Sequence, residues 1–154
     1  MTTRSRRALG GSLAVVLLAA ALPMPASAFF ELDFNGHVRH DPDSYVGFNL
    51  KRTAEGNRRV SFFTTGGIVY SCEDTSTGRT QFLTLDGSMR VKHRRFEGRV
   101  HVFTPAGDPV ARVHGRLHRG SQVANGDVRL VGKLSADPGL RCDTGVQEWR
   151  TVAG

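Results

Sequence analysis

Arg99-Val-His-Val-Phe103 and Arg112-Val-His-Gly-Arg-Leu-His118 decide the fold class. In them Val100, Val102, Val113 and Leu117 alternate with Arg99, His101, Arg112, His114, Arg116 and His118. A period of two sends one set of side chains to a core and the other to water, as in a half-buried β-strand. The same period recurs in both directions along the chain. It joins Phe30, Leu32 and Phe34; Val46, Phe48 and Leu50; Val60 and Phe62; Ile68 and Tyr70; Leu83 and Leu85; and Val128 and Leu130. Past residue 28, no stretch of ten residues keeps the spacing of an amphipathic helix.

Turn chemistry separates these runs. Asn35-Gly36, Gly66-Gly67, Asp86-Gly87 and Asn125-Gly126 tolerate the positive φ of tight hairpins and are expected to be turns. Pro105-Ala-Gly-Asp-Pro109 and Ala136-Asp-Pro-Gly139 read as longer loops. The expectation is an all-β domain over 29–154, a single antiparallel β-barrel of eight to ten short strands. Closure would remove exposed edges, and a β-sandwich is the alternative. Phe62-Phe63, Tyr70, Phe82 and Phe96 are expected in its core.

The chain has 154 residues, 39% hydrophobic and 23% charged, with 18 Gly and 2 Cys. Those proportions exclude collagen-like, disordered and cysteine-dense scaffolds and suit one globular domain. Residues 1–28 read as an export signal. Arg4, Arg6 and Arg7 precede the apolar run Leu13–Leu22, Pro23 and Pro25 break it, and Ala26-Ser27-Ala28 forms a cleavage site. Ser5-Arg6-Arg7-Ala8-Leu9 also resembles a twin-arginine signal, with general secretion the preferred route. The run is short for a bilayer span, so no transmembrane anchor is expected after cleavage, and a secreted or extracytoplasmic location follows. Cleavage leaves 126 residues carrying a net +4 in place of +7.

Cys72 and Cys142 are the two cysteines of an expected exported protein and are expected to form one disulfide. The tail Cys142-Asp-Thr-Gly-Val-Gln-Glu-Trp149 has the form C-x-x-G-x-x-x-W and follows Phe96-Glu-Gly98, Val113-His-Gly115 and Ala124-Asn-Gly126. This pattern resembles small exported bacterial β-domains of actinobacterial type, with a mid-chain Cys matched by a late Cys-x-x-Gly and a Trp. The resemblance implies a fold and no activity. Arg outnumbers Lys by 18 to 3, in keeping with it.

Charge is concentrated. Residues 90–119 carry a net +6 and four of the six histidines, whereas 29–89 sum to −2 and 120–154 to zero. Alternation puts Arg112, His114, Arg116 and His118 on one face of a strand, with Arg99 and His101 on a face of its neighbour. With Phe103 opposite Val110, Arg99 would face His114 and His101 would face Arg112. Such a surface would attract an anionic polymer or envelope component, and Arg suits carboxylate and phosphate. It lacks base-stacking aromatics, so no sequence-specific nucleic-acid reading is expected.

No cofactor or metal is expected. His114 and His118 stand roughly 13 Å apart along a strand, too far to share an ion. His37-Val-Arg-His40-Asp41 matches no zinc spacing. Glu73-Asp-Thr-Ser-Thr-Gly78 is explained by a turn. G-x-S-x-G, H-E-x-x-H, P-loop and dinucleotide motifs are absent from the sequence. The expected function is a non-enzymatic binding or interaction module with a basic face. A carrier of small apolar ligands in a barrel interior, and a hydrolase without a sequence signature, are the alternatives.

Overall fold

The computed structural model describes residues 31–102, 109–120, 122–137 and 139–154. Residues 1–28, read from sequence as an export signal, together with Phe29, Phe30, positions 103–108, which include most of the expected Pro105–Pro109 loop, Ser121 and Pro138, lie outside the described residues. The described chain is all-β. Its strands are β1 Glu31–Val38, β2 Asp41–Arg52, β3 Arg58–Gly66, β4 Val69–Cys72, β5 Thr77–Arg79, β6 Leu83–Val91, β7 Arg95–His101, β8 Val110–Leu117, β9 Val123–Gly132, β10 Cys142–Asp143 and β11 Gln147–Ala153. Two of the eleven, β5 and β10, are too short to read from alternation.

All strands join one antiparallel sheet in the order β5-β4-β10-β9-β11-β1-β2-β3-β6, with β8 on the other edge of β9 and β7 on β8. The C-terminal strand β11 lies between β1 and β9, so the two ends of the described domain are stitched together. The sheet is not closed into a barrel, which corrects the expected architecture, and it is one sheet rather than the two of a sandwich. Two of its edge strands, β6 and β7, are consecutive in sequence and meet, among the described residues, at the bridge Lys92↔Arg95. His93 and Arg94 form that turn at φ 48° and 65°. Gly87, at φ 116°, then interrupts the extended run of β6, and among the described residues no ladder joins β6 to β7 beyond the bridge.

Three of the four expected glycine turns lie inside strands. Asn35-Gly36 is within β1, Asp86-Gly87 within β6 and Asn125-Gly126 within β9; only Gly66-Gly67 turns the chain, with Gly67 at φ 67°. The reason at Gly126 is space. A Cβ there would strike the backbone carbonyl of His114 and the Trp149 ring, so glycine lets the indole lie flat across β9.

The core centres on Phe48. Its ring stacks on Phe34 at 4.7 Å and Phe63 at 6.0 Å, and meets Phe96 at 5.4 Å and Trp149 at 5.9 Å. Alternation holds in β8, where Ala111, Val113, Gly115 and Leu117 are buried while Arg112, His114 and Arg116 are exposed. It fails in β3. A bulge between Ser61 and Phe63 turns Phe63 inward and leaves Phe62 59% exposed. Phe82, also expected in the core, is 72% exposed, and Tyr70 is half-buried.

Candidate anion-binding concavity

The site begins with cross-strand register. β7, β8 and β9 align Arg99↔Arg112↔Arg129 side by side on the outer face. The next row is Glu97↔His114↔Asp127↔Glu148, and the one after it Arg95↔Arg116↔Asn125↔Arg150. The basic segment is therefore striped, with an acidic row between two arginine rows. This register differs by two residues from the expected one: Arg99 faces Arg112, His114 faces Glu97, and His101 faces Val110. In this register the Pro109 carbonyl accepts the Val102 N–H at 2.9 Å.

Like charges directly opposite each other destabilise a sheet, and this row puts three arginines abreast. One is neutralised. Arg129 Nε donates to Asp143 Oδ1 at 3.0 Å and Oδ2 at 3.2 Å, and its Nη2 also donates to Oδ2. Among the described residues, neither Arg99 nor Arg112 has an ion-pair partner. Both line a concavity of about 530 Å³ with Arg129, Arg141, Glu73 and Asp143, floored by Val110, Val131 and the Cys72–Cys142 disulfide.

The disulfide positions the wall that carries Arg141 and Asp143. Cys142 sits opposite Cys72 on β4 and opposite Gly132 on β9. A strand of two residues thereby brings Arg141 and Asp143 beside the arginine row. The Gly145 N–H donates to Asp143 Oδ1 at 2.8 Å, fixing the carboxylate's orientation.

The hydrogen bond from Arg129, aided by the Gly145 N–H, holds the Asp143 carboxyl below its ordinary range. Because the folded value is depressed, the pairing's contribution is present above the ordinary aspartate range and is lost as pH falls through the depressed value. A carbon-detected NMR titration is expected to place the Asp143 midpoint below that of a free aspartate. Arg129→Ala is expected to move it upward; an unchanged midpoint in that variant would contradict the pairing.

Of the six residues read from sequence as a basic face, the concavity gathers Arg99 and Arg112. His114 Nδ1 bonds Asp127 at 2.8 Å and His118 Nε2 bonds Asn125 at 2.6 Å, so both imidazoles are occupied by neighbours. Arg116 belongs to the second arginine row. His101 is exposed beside the opening between β6 and β7, with Arg90 and Glu97. Arg129, Arg141, Glu73 and Asp143 were not identified from sequence. The signal for Arg129 was there, since it alternates with Val128 and Leu130 one hairpin beyond Arg112. Segment 120–154 summed to zero and concealed it.

His37, His40 and His118 line a separate concavity of about 880 Å³ with Arg39, Asp127 and Glu148. Among the described residues, no three or more His, Cys, Asp or Glu side chains form a group that could hold a metal ion. Asp74 Oδ1 accepts the Ser76 N–H at 3.0 Å, a local turn at the acidic loop.

Fold and site together define a disulfide-tied, open antiparallel β-domain with an arginine-walled concavity on its outer face. No protein-family model, curated protein or solved structure matches the chain.

Proposed function

We propose that the domain is an exported binding module, at the cell surface or secreted, that holds phosphate or carboxylate groups of an anionic polymer in this concavity. The observation that carries the reading is the Arg99–Arg112–Arg129 row, with two guanidinium groups lacking ion-pair partners among the described residues and Arg141 facing them. A bound anion offsets the cross-strand repulsion of the row and takes bidentate hydrogen bonds from its planar donors. The acidic row on one side and Glu73 on the other confine the favourable potential to a strip, which suits an extended polymer. Export rests on Arg4–Arg7, the apolar run and Ala26-Ser27-Ala28, together with a disulfide suited to an oxidising compartment.

Retention on immobilised polyphosphate tests the reading. The mature domain is expected to bind at low salt and to elute as salt screens the contacts. Arg99→Ala/Arg112→Ala is expected to weaken binding about tenfold, since charge-assisted contacts are the stronger class of hydrogen bond. Arg95→Ala/Arg116→Ala, the same charge change in the other row, is expected to weaken it much less. Equal losses in the two double variants, or no retention at low salt, would overturn the proposal.

A further inference from the structure

We propose that the outer face of β2 and β3 is a second binding site, for a neutral saccharide, with Tyr45 and Phe62 as stacking platforms. This face stands apart from the arginine concavity, with β1 and β11 between them in the sheet. Tyr45 and Phe62 flank a concavity of about 270 Å³ that includes Asp33, Asn35, Asn49 and Thr64. Phe82 extends the aromatic strip, its ring 5.6 Å from Tyr45.

Phe62 is the distinctive element. It is exposed although phenylalanine favours burial, and it sits at φ 50°, a left-handed conformation that bulky residues rarely adopt. The β3 bulge thus holds an apolar ring on the solvent side at a conformational cost, a pattern that clusters at ligand sites. Lys51 Nζ lies 5.3 Å from the ring centroid and is itself paired with Glu31 at 2.9 Å.

The polar groups suit hydroxyls. The Tyr45 hydroxyl donates to Asn35 Oδ1 at 2.6 Å, which leaves the Asn35 amide N–H groups as donors. The Asn49 amide donates to Asp33 and to Glu31 at 3.2 Å, which leaves Asn49 Oδ1 and a second Asp33 oxygen as acceptors. Donors and acceptors side by side match a sugar's hydroxyl edge, and the ring faces match its C–H face, which aromatic quadrupoles attract. With Glu31 paired to Lys51, the Asp33 carboxylate leaves this patch with a net negative charge, which disfavours a polyanion and favours a neutral ligand. The rings are interrupted by polar groups, so a dry protein interface is a poorer fit.

NMR titration of the mature domain with cellohexaose, chitohexaose and maltohexaose tests the site. At least one is expected to shift the Tyr45 and Phe62 ring signals with a dissociation constant of about 1 mM or tighter. Phe62→Ala is expected to weaken binding about tenfold, as for loss of one stacking platform, with the thermal midpoint retained because the ring lies outside the core. Arg99→Ala/Arg112→Ala is expected to leave sugar affinity unchanged, so failure here is separable from failure of the anion reading. No shift of these signals with any of the three sugars, sugar affinity retained in Phe62→Ala, or self-association through this face in place of sugar binding would overturn the proposal.

Discussion

Phe48→Ala is expected to destabilise the domain by about 4 kcal/mol, the usual cost of emptying a fully packed phenylalanine site. Phe48 is 3% exposed and meets four other rings, Phe34, Phe63, Phe96 and Trp149. Those partners come from β1, β3, β7 and β11, so truncation removes a contact common to both halves of the sheet. Each ring pair adds about 0.5–1.5 kcal/mol beyond area burial, which places the effect at the upper end of core truncations. Urea denaturation checks it, with Phe62→Ala as the exposed control expected within about 0.5 kcal/mol of the parent. A Phe48→Ala loss below about 1 kcal/mol would contradict the core described here.

Cys72→Ser/Cys142→Ser is expected to cost about 4 kcal/mol, the chain-entropy value for a separation of 70 residues. For a domain of this size that corresponds to a fall in thermal midpoint of about 15 °C. The bond also has a local consequence. β10 is two residues long, and the disulfide ties it to β4. Its removal is therefore expected to loosen Arg141 and Asp143 and to weaken polyphosphate retention in the folded protein at low temperature. Thermal melting with and without reductant, followed by retention on the same column, measures both effects. A midpoint unchanged by reduction would contradict the role given to the crosslink.

The all-β class, the faces of β8 and the Val128–Leu130 part of β9 were legible in the sequence because those runs alternate without interruption. So was the cysteine pair, since two thiols in an expected export product leave one simple pairing. Three features were not legible, each because a backbone event overrides the pattern. The bulge in β3 reverses the faces of Phe62 and Phe63, and a two-residue alternation cannot announce it. Gly36 and Gly126 carry the marks of hairpin turns, but their function is close approach: a Cβ at Gly36 would meet the Arg150 carbonyl across the β1–β11 pair. The open seam between β6 and β7 is set by how far a ladder runs past its turn, whereas hairpin-length connections are equally compatible with closure.

The site was half legible. Alternation placed Arg99 and Arg112 on an outer face, and their exposure is as expected. The register was not, because alternation assigns faces and a shift of two residues leaves every face unchanged; the observed pairing lies two residues from the expected one and brings arginine opposite arginine. A summed charge of +6 over thirty residues therefore concealed a striped surface, on which the acidic row Glu97–His114–Asp127–Glu148 separates two arginine rows with different surroundings. Arg141 and Asp143 reach the site through the disulfide, a connection across 70 residues that local composition does not reveal.

The most direct measurement is an NMR titration of the arginine side-chain Nε–H resonances with pyrophosphate. The account predicts that Arg99, Arg112, Arg129 and Arg141 shift together with one dissociation constant, while Arg95, Arg116 and Arg150 remain close to their free positions. Uniform small shifts across both rows, or no shift at the first four, would contradict it.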